Sequence, residues 1–194
     1  MSQIYALVDT ALLKQYSIEF SSYIKFLNTL HIPVLQYRDK DGTIESIKSN
    51  LLKIKDIFNG KVIINDYMEL LEYADGIHIG QEDLQEIDKT PKDAISVLRS
   101  VAKDKWIGLS THNMEEIDTA NTLDIDYIGL GAYRDTDTKK GVKRGGQKLL
   151  EIAKYSKHPV AIIGGVKTDD EFPVYISYKV IGSNLCKLYK KRDN

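Results

Sequence analysis

The sequence predicts an α/β fold, a single (β/α)₈ TIM barrel, on two observations. Eight short apolar runs, many of them rich in β-branched residues, recur along the chain, and most are followed by a segment with the helical spacing of apolar residues. Nearly continuous apolar strands that alternate with helices are typical of a parallel sheet covered by helices. The main alternative, an open doubly wound sheet, is disfavoured because the first strand lacks a Gly-rich dinucleotide fingerprint and no P-loop sequence occurs.

The predicted strands are short and the predicted helices are amphipathic. The strands cover residues 4–8, 33–37, 61–65, 76–80, 106–109, 127–131, 160–164 and 179–182. The helices cover residues 18–30, 44–58, 68–73, 92–102, 114–123 and 147–155, with two further turns at 184–191. Four polar residues stand where an N-cap is wanted, and they set the points at which we expect helices to begin. They are Thr43, Asp66, Thr90 and Asn113.

The length of 194 residues is close to the lower limit of roughly 200 residues for a complete barrel. We therefore predict one compact domain over residues 1–194, with shortened βα units at its C-terminal end. Little chain separates the last two strands, and Pro173 interrupts the helix that would join them. The composition, 42% hydrophobic and 28% charged, is that of an ordinary globular protein and excludes disorder over most of the length.

Charge and cysteine content limit the classes of partner and compartment. The 27 Lys and Arg residues nearly balance the 28 Asp and Glu residues, so the net charge of −1 gives no overall attraction to nucleic acid or to an anionic membrane. The single cysteine, Cys186, excludes an intramolecular disulfide, and no apolar run reaches the roughly 18 residues of a transmembrane helix. With no export signal in view, we expect a cytoplasmic protein whose partners are small molecules.

In a (β/α)₈ barrel the active site lies at the C-terminal ends of the strands and in the loops that follow them. The candidate site residues at those positions are polar or glycine. They are Gln36, Arg38, Lys40, Asn65, Asp66, Gln81, Glu82, Asp83, Ser110, Thr111, His112, Thr136, Thr138, Lys139, Gly164, Gly165, Gly182 and Ser183. Cations, carboxylates and glycine turns together suit a diphosphate bound with Mg²⁺, because Mg²⁺ prefers oxygen ligands and glycine lets backbone N–H groups approach a phosphate.

Each part of this set also has an ordinary structural interpretation, which the sequence leaves open. Residues 37–40 are compatible with a solvated loop, residues 65–66 with a helix cap and residues 82–83 with a surface turn. His112 has a reference pKa near 6.5 that suits acid–base chemistry, but a lone histidine beside a helix start is more often structural. His78, inside a strand, is expected in the core or barrel lining rather than on a metal.

Seven motifs in order give the chain a family resemblance. They are the sequences of residues 36–40, 63–66, 76–83, 108–112, 127–131, 136–139 and 161–165, with a weaker match at 181–183. Together they resemble the thiamine phosphate synthase (thiamine-phosphate pyrophosphorylase) family. The chain departs from the family pattern at residues 131–135, where a proline-containing segment is more usual, and the stretch between the last two strands is short.

The resemblance implies a (β/α)₈ barrel that joins a pyrimidine diphosphate to a thiazole phosphate and uses Mg²⁺. It assigns the pyrimidine diphosphate to Gln36, Tyr37, Arg38, Asp39, Lys40 and Asn65, the metal to Asp66 and Asp83, and the leaving diphosphate to Ser110 and Lys139. It assigns the thiazole phosphate side to Thr136, Asp137, Thr138, Gly165, Gly182 and Ser183. The implied chemistry is dissociative, and the residues that stabilise the departing charge are Arg38, Lys40, Ser110 and Lys139.

Two other functions compete with the synthase prediction. One is a thiazole tautomerase of the kind found among relatives of the family, which would use an acid or base such as His112 and no metal. Asp66, Asp83 and Lys139 argue against it, because an isomerase expels no diphosphate. The other is a non-catalytic protein that binds a phosphate ligand, which the presence of every expected charged group disfavours.

Overall fold

The structure, a computed structural model, describes residues 1–135 and 144–192. Eight parallel strands close into a barrel in chain order, which confirms the predicted fold class. The strands are β1 (Gln3–Asp9), β2 (Val34–Arg38), β3 (Lys61–Asn65), β4 (Gly76–Ile79), β5 (Trp106–Thr111), β6 (Tyr127–Leu130), β7 (Val160–Ile162) and β8 (Ile176–Ile181). The barrel closes between β1 and β8, where Tyr5 lies opposite Val180.

Helices surround this barrel in the order that the strand–helix alternation requires. They are α1 (Thr10–Gln15), α2 (Phe20–Thr29), α3 (Ile44–Ile57), the 3₁₀ helix η1 (Met68–Tyr73), α4 (Gln81–Ile87), α5 (Pro91–Ala102), α6 (Met114–Ala120), α7 (Gln147–Ala153) and α8 (Ser183–Lys190). Two short helices, α1 and α4, were not predicted. Residues 82–83, for which a surface turn was one of the open interpretations, lie in the first turn of α4, which has seven residues and no side-chain cap.

Three of the four predicted caps are confirmed. The side chains of Thr43, Thr90 and Asn113 each accept a hydrogen bond from a backbone N–H in the first turn of α3, α5 and α6 respectively. The prediction for Asp66 as a helix cap is wrong, because η1 begins after Tyr67 and has no side-chain cap. Asp66 instead has a φ of 67°, in the left-handed region that few residues other than glycine adopt.

The last βα units are short, as the length predicts. The structure describes the whole connection between β7 and β8, and it contains no helix. Lys179, on β8, donates hydrogen bonds to the carbonyl oxygens of Thr168 (2.5 Å) and Asp170 (3.2 Å), so its side chain holds this connection against the barrel. Strand β8 begins earlier than predicted, because Tyr178 pairs with both neighbouring strands.

The apolar core has two layers. Most buried residues lie between the barrel and its helices, and a smaller cluster fills the barrel interior. That interior cluster consists of Tyr5, Leu7, Val34, Ile63, Tyr127, Ala161 and Val180. Within the described ranges, no helix combines the length and the apolar character needed to cross a membrane.

Candidate active site

A cavity of about 170 Å³ opens at the C-terminal ends of the strands, where the barrel architecture places active sites. It brings together most of the residues that the sequence singled out. The predicted substrate and metal residues on its wall are Gln36, Arg38, Lys40, Asn65, Asp66, Asp83, Ser110, Gly165, Gly182 and Ser183. Residues from β2, β3, α4, β5, the β7–β8 connection and α8 therefore surround one space.

Tyr37 and Asp39, which the family resemblance assigns to the pyrimidine diphosphate, do not line this cavity. Tyr37 is fully buried and its phenol oxygen lies 3.0 Å from Asn50 Nδ2 on α3, because successive side chains of a strand point to opposite faces and Gln36 points inward. The Asp39 carboxylate accepts hydrogen bonds from Thr10 Oγ1 (2.9 Å) and the Gly42 backbone N–H (3.0 Å). Both residues therefore organise the loop after β2.

Arg38, at the end of β2, is held by a residue that sequence reasoning missed. Its guanidinium forms an ion pair with the carboxylate of Asp9, which is 3% exposed at the end of β1. The second oxygen of Asp9 accepts a hydrogen bond of 3.1 Å from the backbone N–H of Leu12 and caps α1. The sequence signal was an acidic residue directly after an apolar strand, a common N-cap position.

Asp66 and Asp83 form the acidic part of the cavity wall. Burial and the neighbouring Asp83 carboxylate raise the pKa of Asp66, while the Lys40 ammonium, 3.7 Å from Asp66 Oδ2, acts in the opposite direction. The Asn65 amide donates a hydrogen bond to the same oxygen. The left-handed backbone of Asp66 is uncommon outside glycine, although Asp and Asn adopt it more readily than other residues.

These two carboxylates fit a hard divalent cation. The two carboxylates repel each other when both are ionised, and a positive charge between or beside them reduces that repulsion. Across the described ranges, no cluster of three or more His, Cys, Asp or Glu side chains is arranged to enclose a metal. The arrangement suits Mg²⁺, which is usually held by one or two carboxylates and keeps its remaining positions for water and phosphate oxygens.

Ser110, on β5, faces the cavity above a buried histidine. Its hydroxyl oxygen lies 3.0 Å from His78 Nε2, and its carbonyl oxygen accepts a hydrogen bond of 2.6 Å from the Gln81 amide. His78 is 8% exposed, and burial lowers its pKa to about 4. The sequence expectation that His78 lines the barrel interior agrees with its position.

Glycine backbone forms much of the opposite wall of the cavity, beside Ile163, Val166 and Ser183. Gly164 and Gly165 follow β7 with φ values of 95° and 61°, a conformation that favours glycine. A Cβ on Gly164 would lie 2.7 Å from that of Ala132, and a Cβ on Gly165 would overlap the carbonyl oxygen of Asp135. Gly182 precedes α8 and supplies no side-chain cap, and Gly182 and Ser183 at the start of that helix line the cavity. Such a wall suits a phosphate.

An ion pair that the sequence did not reveal joins the two loops of this wall. The Arg134 guanidinium binds both carboxylate oxygens of Asp170, at 2.6 and 3.0 Å, and donates to the Gly165 carbonyl oxygen at 3.3 Å. The Arg134 backbone N–H also bonds the Gly164 carbonyl oxygen, at 2.9 Å. Arg134 lies in the segment that departs from the family pattern, and it fixes the loop after β6 to the glycine turn after β7.

His112 also lines the cavity and is oriented by a carboxylate. Its Nδ1 and its backbone nitrogen both lie 2.9 Å from Glu116 Oε2, one turn along α6. The predicted substrate residues Thr136, Asp137, Thr138 and Lys139 lie outside the described residues, and their predicted roles stay predictions.

Comparison with known proteins places these features in a family. A family model described as thiamine monophosphate synthase matches residues 4–175. Thiamine-phosphate synthase 1 of Aquifex aeolicus is 32% identical over 142 residues, which is 70% of this chain and 62% of that protein. Thiamine-phosphate synthase of Methanosarcina barkeri is 37% identical over 143 residues, 71% of this chain and 61% of that protein. The matched regions thus span about six tenths of these two relatives.

Solved structures share the fold over nearly the whole chain. A thiamine phosphate pyrophosphorylase from Pyrococcus furiosus superposes with a TM-score of 0.74 at 21% identity, covering 97% of this chain and 96% of that one. A mutant tryptophan synthase α-subunit from the same organism reaches 0.65 at 11% identity, over 98% of this chain and 91% of that one. These likenesses show the barrel alone. The family model and the curated relatives show more: the chain belongs to the thiamine monophosphate synthase family.

Proposed function

We propose that this chain is a thiamine phosphate synthase. The reaction joins 4-amino-5-hydroxymethyl-2-methylpyrimidine diphosphate to 4-methyl-5-(2-phosphoethyl)thiazole and releases diphosphate with thiamine phosphate. One observation carries the proposal: a single cavity has cations and carboxylates at the ends of β2 to β5 and a backbone wall suited to a phosphate after β7 and β8. A charged leaving group and a second phosphorylated substrate have separate places around one space.

The charged wall, formed by the side chains at the ends of β2 to β5, would bind the pyrimidine diphosphate. Arg38 is held in place by its ion pair with Asp9, and Lys40 lies beside Asp66, so both cations stand ready to neutralise phosphate oxygens. Gln36 and Asn65 would contact the pyrimidine side, and Ser110 would donate a hydrogen bond. Lys139 is proposed to complete the diphosphate site. Gly165, Gly182 and Ser183 would hold the thiazole phosphate through backbone N–H groups.

The proposed bond changes are dissociative. The bond between the pyrimidine methylene carbon and the diphosphate oxygen breaks first, and its electron pair leaves with the diphosphate. The 4-amino group stabilises the methylene cation that remains, and the thiazole nitrogen lone pair then forms the new C–N bond. No strong base or nucleophile is required, so the side chains act by stabilising the charge that develops on diphosphate.

Asp66 and Asp83 are the residues proposed to hold Mg²⁺, for the reasons of charge and donor chemistry given above. When bound, the ion would supply Lewis-acid stabilisation of the diphosphate oxygens. The protein's own contribution is to place the cations Arg38 and Lys40 around that leaving group before the bond breaks.

A direct assay tests this proposal. Purified full-length protein is mixed with both substrates and Mg²⁺, and the product is oxidised and read as thiochrome fluorescence. We expect product that depends on both substrates and on Mg²⁺. A signal no greater than that of a blank without enzyme would refute synthase activity.

His112 supports a second candidate function, a thiazole tautomerase. The Glu116 carboxylate orients the Nδ1 side of the ring while His112 lines the cavity, which is an arrangement suited to proton transfer. The test is isomerisation of a thiazole carboxylate phosphate in the presence of a metal chelator. Turnover that His112→Ala abolishes would favour the tautomerase, whereas metal-dependent thiochrome formation that survives this substitution would favour the synthase.

A further inference from the structure

Five side chains form a continuous line of hydrogen bonds through the barrel interior and connect two sides of the cavity. Gln36 Nε2 lies 3.3 Å from the Tyr5 hydroxyl, which lies 2.9 Å from the Tyr127 hydroxyl. Tyr127 lies 3.1 Å from His78 Nδ1, and His78 Nε2 lies 3.0 Å from Ser110 Oγ. We propose that this line, the interior relay, fixes Ser110 as a hydrogen-bond donor toward the cavity.

The direction of the relay follows from its first member. An amide nitrogen donates and does not accept, so Tyr5 accepts from Gln36. The Tyr5 proton is then directed to the Tyr127 oxygen, because that is the other polar atom within hydrogen-bond distance of the Tyr5 hydroxyl in the described chain. The Tyr127 hydroxyl in turn donates to His78 Nδ1.

An imidazole nitrogen that accepts carries no proton, so the proton of a neutral His78 is on Nε2. That N–H donates to Ser110 Oγ and leaves the serine proton available to the cavity. A doubly protonated ring would leave the Tyr127 proton without an acceptor, and neither ring nitrogen has a carboxylate partner among the described residues.

The same ordering assigns a role to the other end of the relay. Because Gln36 uses its nitrogen on Tyr5, its oxygen is left as the acceptor for a cavity ligand. The cavity thus offers a donor from Ser110 and an acceptor from Gln36. A donor and an acceptor together match an aminopyrimidine, whose exocyclic amine donates and whose ring nitrogens accept, so Ser110 would contact the pyrimidine ring and not the diphosphate to which the family resemblance assigns it. That identification rests on the proposed function, whereas the relay does not.

Two glycines make room for the relay, which indicates that the space is built for it. A Cβ on Gly108 would overlap the Tyr127 ring, and a Cβ on Gly129 would lie 2.8 Å from His78 Cε1. Both glycines lie on strands that line the barrel, β5 and β6. Tyr5, Tyr127 and His78 are positioning residues in this proposal, since they act on the ligand through Ser110 and Gln36.

The protonated nitrogen of His78 is the decisive measurement. In full-length protein labelled with ¹⁵N-histidine and without substrate, NMR at neutral pH distinguishes the two neutral tautomers. The His78 signal is assigned by elimination with variants of His31, His112 and His158. We expect the proton on Nε2. A proton on Nδ1, or on both nitrogens, would overturn the relay whether or not the protein is a synthase.

A reversal experiment sharpens this measurement. Gln36→Glu replaces the donor by a carboxylate that only accepts, so every hydrogen bond in the relay must turn round. We expect the His78 proton to move to Nδ1 in this variant. Retention of the proton on Nε2 would show that Gln36 does not set the direction.

Kinetics then test the link to the ligand. Tyr127→Phe breaks the relay at its centre and keeps the ring, and we expect kcat/KM for pyrimidine diphosphate to fall about tenfold while KM for thiazole phosphate stays the same. Tyr178→Phe is the matched control, because Tyr178 packs edge-on against Tyr5 at 6.1 Å but lies outside the relay. Equal kinetics for the two variants would overturn the positioning role. A wild type without synthase activity would refute the proposed function and leave the NMR result standing.

Discussion

At the ends of β2 to β5 the cavity is lined by charged and polar side chains that other side chains hold in place, whereas after β7 and β8 glycine backbone lines it beside Ile163, Val166 and Ser183. We call these the charged wall and the backbone wall. In the charged wall, Arg38 is positioned by Asp9, and Asp66 by Asn65 and Lys40. In the backbone wall, Gly164 and Gly165 are positioned because the loop after β6 packs against them.

Because the two walls are built differently, substitutions in them should have different effects on catalysis and stability. A side chain in the charged wall can be replaced without altering the backbone, so the loss falls on charge and hence on rate. A side chain introduced at a glycine of the backbone wall displaces main chain. Such a substitution should therefore weaken ligand binding and also lower the free energy of unfolding. The predictions below test that distinction, beginning with the largest expected effect.

Asp66→Asn should have the largest effect and should act on rate alone. Asn keeps the size of the side chain and tolerates the left-handed backbone of residue 66, but it removes the charge. We expect synthase turnover to fall by about 10²–10³, with a melting temperature close to wild type. Asp41→Asn is the control, because Asp41 is exposed on a neighbouring loop outside the cavity lining. Wild-type turnover in Asp66→Asn would disprove the metal assignment.

Gly165→Ala should affect binding and stability together. Its Cβ would overlap the Asp135 carbonyl oxygen at a residue whose φ is 61°. We expect KM for thiazole phosphate to rise about tenfold and the free energy of unfolding to fall by about 1–3 kcal/mol.

Gly146→Ala is a matched control for that substitution. Gly146 has a similar φ of 51°, but a Cβ there meets no atom of the described residues within 4 Å. Gly146→Ala has the energetic cost of a positive φ without a steric overlap. The difference in unfolding free energy between the two variants therefore measures the overlap at residue 165. Equal KM values in both would show that the backbone wall tolerates movement.

Asp170→Asn should loosen the backbone wall through a side chain. Burial alone would raise the pKa of Asp170, but hydrogen bonds from Arg134 and the Lys167 backbone N–H lower it below its usual 3.8. The stabilisation is therefore complete above that usual value and is lost as pH falls below it toward the lower folded pKa. We expect a loss of about 1 kcal/mol in urea unfolding at pH 7, fading below about pH 4.

Asp169→Asn is the control for Asp170→Asn. Asp169 is exposed and adjacent in sequence, whereas Asp170 makes the bidentate contact with Arg134. Asp169→Asn should leave the unfolding free energy within experimental error of wild type. If Asp170→Asn is equally silent, the ion pair with Arg134 does not hold the two loops together.

Glu19→Gln should have the smallest effect, since it lies in neither wall. The carboxylate caps α2 by accepting hydrogen bonds from the backbone N–H groups of Ser22 (2.6 Å) and Ser21 (2.9 Å), and hydrogen bonds from Ser22 and then Ser21 lower its pKa to about 2. We expect a loss of about 0.5–1 kcal/mol at neutral pH and unchanged kinetics. The loss should vanish as pH falls from about 4.5 toward 2. Altered kinetics would mean that a change at the start of α2 affects the cavity walls.

Much of the cavity could be predicted because, in a barrel, residues that follow the strands all lie at the same face. Asp66, Asp83 and Ser110 are distant in sequence, yet each follows or ends a predicted strand, and the strand ends meet at one face. The direction of each side chain was less well predicted. Strict alternation along β2 separates inward Gln36 from outward Tyr37, whereas the family resemblance assigns the whole motif 36–40 to one ligand.

Partners across the barrel were beyond sequence reasoning. Asp9 and Arg38 meet because β1 and β2 are paired in register, and Tyr5 meets Tyr127 across 122 residues because β1 and β6 face each other inside a closed barrel. Helix α4 was missed because Gly80 gives no capping signal. The two contacts join strands that are distant in sequence, and α4 lacks the capping signal that would have marked its start.

By itself the sequence determined the strand–helix alternation, the fold class and the face of the barrel that carries polar groups, because these follow from apolar periodicity and from the ends of predicted strands. Only the tertiary structure decided which of those groups hold one another: the Asp9–Arg38 ion pair, the Arg134–Asp170 ion pair and the interior relay. The physical reason is that hydrogen bonds and ion pairs act over a few ångströms, and such separations between strands are set only when the barrel closes.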